Sequence, residues 1–152
     1  AASKPRPVMV WIHGGTFTDG TIFSTIYDGR YLTSLGDVVV VTVNHRLNLF
    51  GYLYLGDFGF PDFAESGNVG QLDLIQALRW LREHAEEFGA DANNVTVFGQ
   101  SGGGAKIATL MAMAAGSATP AAWWSSTPTS HCQFQKASIP RRITTGFMPS
   151  AA

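Results

Sequence analysis

The chain has 152 residues, of which 45% are hydrophobic and 14% are charged, a composition typical of one globular domain and not of a disordered segment. Its formal net charge of -1 provides no electrostatic footprint for nucleic acid or an anionic membrane surface, and no apolar run approaches membrane-spanning length. A single cysteine, Cys132, excludes an internal disulfide.

The first half of the chain reads as strand, helix, strand. Residues 8–12 form a continuous apolar run, which predicts a central strand buried on both faces. Residues 28–36 predict a short helix closed by Gly36, and residues 38–43 predict a second β-branched strand. Because a helix separates the two strands, we expect a parallel crossover and an α/β fold.

The middle of the chain holds an aromatic segment and then a long helix. Residues 49–63 are too irregular for one strand, and packing over the sheet edge is favoured over a role in lining a substrate pocket. A helix is predicted from Asn68 or Gly70 to Gly89, and residues 91–94 are expected to form a turn. Its apolar stripe comprises Leu74, Leu78, Leu81, Ala85 and Phe88.

The stretch after this turn predicts a strand, a sharp turn and a helix. Residues 95–98 have strand composition, and Gly99 to Gly103 match G-x-S-x-G, the pattern that places a nucleophilic serine between a strand and a helix. A chance glycine-rich turn is the alternative. A phosphate-binding loop fails because Ala105 separates Gly104 from Lys106, and the dinucleotide pattern G-x-G-x-x-G also fails. Position between strand and helix therefore favours a nucleophile at Ser101.

The first strand opens into a second glycine motif, His13-Gly14-Gly15. Taken alone, it is an ordinary turn at a strand end. Paired with the serine motif, it favours a loop whose amides bind the oxyanion of acyl transfer. No histidine is a convincing base for the serine. His13 belongs to this loop, His45 is a weak candidate after another strand, His84 lies on a solvated helix face, and His131 lies in an unpatterned tail.

Several motifs in order resemble the type-B carboxylesterases, the cholinesterase-like branch of the α/β-hydrolase fold. They are WIHGGTF at residues 11–17, VNHRL at 43–47, GNVGQLD at 67–73 and FGAD at 88–91, followed by the serine motif. The resemblance runs from about Pro7 to Ala114. It implies that Ser101 is the nucleophile and that the amides of Gly15, Thr16 and Gly102 form the oxyanion hole.

The chain departs from the family pattern at four positions. Thr16 stands where Gly or Ala is usual, His45 where Tyr is common, Ala90 where the signature has Gly, and Gln100 where Glu is common. None of these removes a catalytic atom, although Thr16 would narrow the acyl site. Arg46 is expected to serve a structural hydrogen-bond network.

Family members are several times longer, and their triad acid and histidine lie far downstream of the serine. We therefore expect residues 1–115 to be an α/β-hydrolase core fragment with a mostly parallel sheet and flanking helices, and residues 116–152 to be an irregular tail.

The resemblance implies hydrolysis of small-molecule carboxylic esters through an acyl-serine, with no metal or organic cofactor. The chain as given is expected to be incomplete for that reaction. The alternatives are a catalytically inert fragment and a non-hydrolytic cholinesterase-like binding module. The retained Ser101 argues against the binding module.

Overall fold

The structure, a computed structural model, describes residues 4–113 and, for the backbone alone, residues 122–126 and 135–136. The strands are β1 (Arg6–Ile12), β2 (Val39–Val43), β3 (Ala90–Gln100), β4 (Ala122–Ser126) and β5 (Gln135–Lys136). The α-helices are α1 (Arg30–Gly36), α2 (Asn48–Tyr52), α3 (Val69–His84) and α4 (Gly102–Met113). Short 3-10 turns cover Thr25–Tyr27, Gly56–Phe58, Pro61–Phe63, Ser66–Asn68 and Ala85–Phe88.

The strands form one sheet in the order β2-β1-β3-β4-β5. β1 pairs in parallel with β2 and with β3, β3 pairs in parallel with β4, and β4 pairs antiparallel with β5. The predicted parallel crossover and α/β class are confirmed. The predicted tail over residues 116–152 lies outside the described residues, apart from the backbone of β4 and β5.

The core lies on one face of the sheet, beneath α3 and α4. Its buried side chains include Val8, Val10, Ile12, Leu74, Leu81, Val95, Val97, Ile107 and Leu110. Burial alternates along β1, because successive side chains point to opposite faces of a sheet. The prediction that residues 8–12 form a central strand is confirmed, but they are fully buried on one face only and partly buried on the other. On the second face Trp11 is half-buried and contacts the rings of Tyr27 and Phe98, with centroids 5.1 and 5.0 Å apart.

The turn predicted at residues 91–94 was also wrong, since β3 already begins at Ala90. The local chemistry of a turn is nevertheless present, because the Asn93 amide donates to the Asp91 carboxylate at 2.9 Å. The pairing with β1 shifts here, from Arg6 opposite Ala90 to Val8 opposite Val95. The polar residues therefore form a bulge inside the strand instead of a turn before it.

The helices begin and end close to the predicted positions, with two corrections. Gly36 was predicted to close α1 and is its last residue, but the residue that follows the helix in the left-handed conformation is Asp37, with φ 46°. Phe88 leaves the predicted apolar stripe and is 54% exposed. The 3-10 turn over Ala85–Phe88 has three residues per turn, which rotates Phe88 away from the core and towards the ring of Trp80 at 5.8 Å.

The aromatic segment at residues 49–63 folds as α2 followed by two 3-10 turns. The prediction that this segment packs over the sheet edge was wrong, because most of its rings are exposed. Phe50 is the most exposed of them, at 83%. Tyr52 is the exception, since its side chain is half-buried against the ring of Phe17 at 4.8 Å. Among the described helices, none is both long and apolar enough to cross a membrane.

Candidate active site

Ser101 lies at a sharp turn between β3 and α4. β3 ends at Gln100 and α4 begins at Gly102. Ser101 between them has a backbone φ of 57°, in the left-handed region that residues other than glycine rarely adopt. The carbonyl of Ser101 accepts the amide of Ala105 at 3.1 Å, so the helix starts at the serine. The predicted strand, strained turn and helix are therefore present, with the serine at the apex.

The glycines of this turn allow its backbone to touch the end of β1. A Cβ on Gly99 would lie 2.6 Å from the carbonyl oxygen of Ile12, and one on Gly103 would lie 2.9 Å from that of His13. Real Cβ atoms essentially never come within 3.0 Å of such atoms. The absence of side chains at these positions thus sets the distance between the serine turn and the loop after β1.

The same close approach joins Gly102 to Thr16. A Cβ on Gly102 would lie 2.5 Å from the backbone nitrogen, Cα and oxygen of Thr16. The backbones of two predicted oxyanion-hole residues therefore meet directly. The amide of Gly102 is the first of α4, so it has no intrahelical acceptor.

The carbonyl oxygen of Gly15 accepts hydrogen bonds from other residues of the loop after β1. That oxygen accepts the amide of Asp19 at 3.1 Å, the amide of Thr18 at 3.3 Å and the hydroxyl of Thr16 at 2.7 Å. Gly15 and Thr16 both have positive φ, 91° and 52°. In the part of the chain that the structure describes, neither of their amides donates a hydrogen bond. The structure thus brings the loop bearing Gly15 and Thr16 beside Gly102, and the amides of Gly15 and Thr16 have no acceptor among the described residues.

The two histidines near this loop are neutral and engaged with each other. His13 is buried and its Nδ1 donates to the carbonyl of Gly14 at 2.7 Å. The rings of His13 and His45 stack with centroids 4.8 Å apart. Burial lowers the pKa of His13, and burial together with the charge of Lys106 lowers the pKa of His45 to about 4.

No histidine of the described residues is joined to the Ser101 hydroxyl by a hydrogen bond. His84 interacts with Glu87 at 2.7 Å, in keeping with its predicted place on the helix surface. His131 lies outside the described residues. The structure therefore supplies no general base for Ser101 within the ranges it describes.

Lys106 is a residue of this region that the sequence reading did not identify. Its side chain is fully buried, and Nζ lies 5.7 Å from the centroid of the Phe17 ring. Burial lowers the pKa of Lys106 to about 8, an effect that the charge of Asp19 partly opposes. The signal available in the sequence was a lone charge among the twelve residues of α4, directly after the serine motif.

Arg46 has the structural role predicted for it. Its Nη2 donates to the Asp73 carboxylate at 2.6 Å, its Nε donates to the same group at 2.9 Å, and its backbone amide donates at 2.9 Å. The hydrogen bonds from Arg46 hold the pKa of Asp73 below its usual range. This pair fixes the loop after β2 to α3. Within the described ranges, no group of three or more His, Cys, Asp or Glu side chains could hold a metal ion.

The chain is similar in sequence to known proteins. A sequence model described as the Carboxylesterase family matches residues 1–147. The para-nitrobenzyl esterase of Bacillus subtilis (strain 168) is 52% identical over 113 residues, which are 74% of this chain and 22% of that protein. Carboxylesterase 3 of Homo sapiens is 49% identical over 110 residues, 72% of this chain and 18% of that protein.

Solved structures give a similar picture. The crystal structure of a carboxylesterase of Geobacillus stearothermophilus superposes with a TM-score of 0.67 at 50% sequence identity, covering 70% of this chain and 22% of the other. The chain thus spans about a fifth of the length of the proteins that it matches.

Proposed function

The chain belongs to the carboxylesterase family, and we propose that it provides the nucleophile and the oxyanion hole of a serine esterase acting on small-molecule carboxylic esters. Its fold is part of the α/β-hydrolase fold, a mostly parallel sheet with flanking helices. The observation that carries the proposal is the contact of Gly102 with the backbone of Thr16, directly beside the strained Ser101.

In the proposed reaction, Oγ of Ser101 attacks the carbonyl carbon of the ester as a general base takes the hydroxyl proton. The carbonyl oxygen becomes an oxyanion that accepts hydrogen bonds from the amides of Gly15, Thr16 and Gly102. The alcohol leaves with the proton, and water then hydrolyses the acyl-serine by the reverse sequence. Removing one hydrogen-bond donor from an oxyanion hole typically costs about 10²–10³ in kcat.

The backbone supports this role because α4 starts at the serine. The first amides of a helix are unpaired and carry the positive end of the helix dipole, so negative charge that develops beside Ser101 is stabilised. The hydroxyl of Thr16 donates to the carbonyl of Gly15 at 2.7 Å and contacts the Thr18 hydroxyl at 2.8 Å. These contacts hold the Thr16 side chain against its own loop. We therefore propose that Thr16 narrows the acyl site less than the size of its side chain suggests.

The general base and the acid that orients it are proposed to come from outside the described residues, because none of His13, His45 and His84 is hydrogen-bonded to Ser101, burial lowers the pKa of His45 to about 4, and His84 pairs with Glu87. When a full-length serine protease loses a residue of its catalytic triad, the oxyanion hole and substrate binding retain only about 10³–10⁴ of rate acceleration over water. We therefore expect the 152-residue chain alone to show negligible turnover of short-chain nitrophenyl esters.

The test is a chimaera in which residues 7–114 replace the matching segment of the Bacillus subtilis para-nitrobenzyl esterase. We expect it to hydrolyse nitrophenyl acetate and to lose at least about 10³-fold in kcat with Ser101→Ala. Ser34→Ala, an exposed serine on α1, is the matched control and should leave the rate unchanged. A folded chimaera that is inactive, or that keeps its activity after Ser101→Ala, would contradict the proposal.

A further inference from the structure

The buried ammonium of Lys106 has no role in the reaction as proposed so far. It is fully buried on α4, five residues after the serine, and Nζ has no hydrogen-bond acceptor among the described residues. No described carboxylate lies within ion-pair distance of it. Burying an ammonium without a partner is costly, so its surroundings need to account for it.

The aromatic ring of Phe17 is the contact that links Lys106 to the loop after β1, residues 13–19, called here the oxyanion loop. Nζ lies 5.7 Å from the ring centroid, within the range of a cation–π interaction. The ring also meets Tyr52 edge to face at 4.8 Å, which fixes its plane. Phe17 directly follows Thr16, whose backbone packs on Gly102. A force on this ring therefore acts one residue away from the oxyanion amides.

Titratable groups on two other segments interact electrostatically with Lys106, and Tyr52 contacts the Phe17 ring. Asp19 in the oxyanion loop favours its charged form, and the lysine charge in turn lowers the pKa values of His13 and His45. Burial raises the pKa of Tyr52 to about 12, so its hydroxyl is neutral. Lys106, with a pKa of about 8, is mostly protonated at pH 7. Its ammonium is thus a positive charge near neutral imidazole groups.

We propose that Lys106 is a positioning residue of the oxyanion loop, which holds the Phe17 ring and adds positive potential at the amides of Thr16 and Gly102. The inference rests on the proposed function, since it assigns those amides to the oxyanion. The buried cation and the amino end of α4 act in the same direction on a developing negative charge. Loss of the lysine proton to solvent removes both the cation–π contact and the potential.

The experiment uses the ¹⁵N-labelled 152-residue chain and follows the amide shifts of Thr16 and Gly102 by NMR from pH 6 to pH 10. We expect both amides to show an inflection near the lysine pKa of about 8. In Lys106→Met, which keeps an unbranched side chain one heavy atom shorter and without the charge, both should be flat at the high-pH position. In Lys106→Arg, which stays charged throughout, they should be flat at the low-pH position. The exposed Lys4→Met is the control and should titrate like the unsubstituted chain.

An inflection that survives in Lys106→Met, or flat amides in the unsubstituted chain, would overturn the proposal. So would Lys106→Arg amides at the position of the methionine variant, because a packing role alone would give that result. Methionine removes an unpaired buried charge, so this variant should fold even where arginine does not fit. Ser101→Ala should titrate normally, so failure here is separable from failure of the esterase proposal.

Discussion

Replacing Ser101 by glycine should stabilise the chain, because its backbone is strained. With φ 57°, Ser101 occupies the left-handed region, which costs a residue bearing a Cβ roughly 1–2 kcal/mol relative to the ordinary helical region. Glycine escapes this strain but loses about 0.4–1 kcal/mol more to the entropy of the unfolded chain. The difference predicts that Ser101→Gly is about 1 kcal/mol more stable than Ser101→Ala.

The comparison with alanine isolates the backbone term, because both variants lack the hydroxyl and only alanine keeps the Cβ. Urea unfolding followed by tryptophan fluorescence measures it, with a midpoint shift of about 0.5 M expected for an m-value of roughly 2 kcal/mol/M. Ala105→Gly within α4 is the control, and it should destabilise by about 1 kcal/mol, as glycine does in an ordinary helix. If Ser101→Gly is less stable than Ser101→Ala, the serine is not strained and the reasoning fails.

Three further predictions concern packing and pH. Gly102→Ala would place a Cβ 2.5 Å from the Thr16 backbone and should destabilise by about 1–3 kcal/mol, whereas Gly36→Ala, with only ordinary contacts at 3.5 Å, should stabilise slightly. Because the pKa of Asp73 is held below its usual value, its stabilisation is complete above about pH 4 and is lost as the pH falls through the lower folded pKa. Asp73→Asn should therefore lower the urea midpoint at pH 7 and weaken its fall towards pH 3. The pKa of His45 is lowered from 6.5 to about 4, so between these pH values the unfolded chain binds more protons than the folded chain. The free energy of unfolding should therefore fall as the pH is lowered from 6.5 to 4, and it should fall less in His45→Phe.

Each of these has a clear contrary result. If Gly102→Ala and Gly36→Ala have equal effects on stability, Gly102 is not in close contact with Thr16. Identical acid profiles of Asp73→Asn and the unsubstituted chain would show that the carboxylate is not held by Arg46. A His45→Phe variant that loses as much stability between pH 6.5 and 4 would assign that loss to His13 or to another group.

The central strands and the serine turn were predictable because their signals are local. A β-branched run, a glycine cluster and an apolar stripe each depend on residues close in sequence, and β1, β2, α3 and the Ser101 turn follow them. Positive φ at Ser101 also follows from the G-x-S-x-G pattern alone. The structural role of Arg46 was also predicted, although its partner Asp73 lies 27 residues away in the sequence and was not identified.

Features that depend on distant partners were not predictable in this way. Whether the second face of β1 is buried depends on which helices cover it, and the burial of Lys106 depends on Phe17 and the helix packing around it. The bulge at Asp91 arises from pairing with β1, which the sequence of β3 does not encode by itself. Phe88 shows the remaining limit, because a change from α to 3-10 geometry over four residues moves a side chain off its face.

The backbone contact between the serine turn and the end of β1 also bears on how such a protein can evolve. Gly99, Gly102 and Gly103 meet Ile12, His13 and Thr16 through main-chain atoms, so the closest contact between the serine turn and the loop after β1 is made by the backbone. Substitutions that leave this contact in place can accumulate around the site and reshape what it admits. Selection then acts on two nearly independent traits, a main-chain frame that tolerates almost no change and a surrounding wall that is free to diversify.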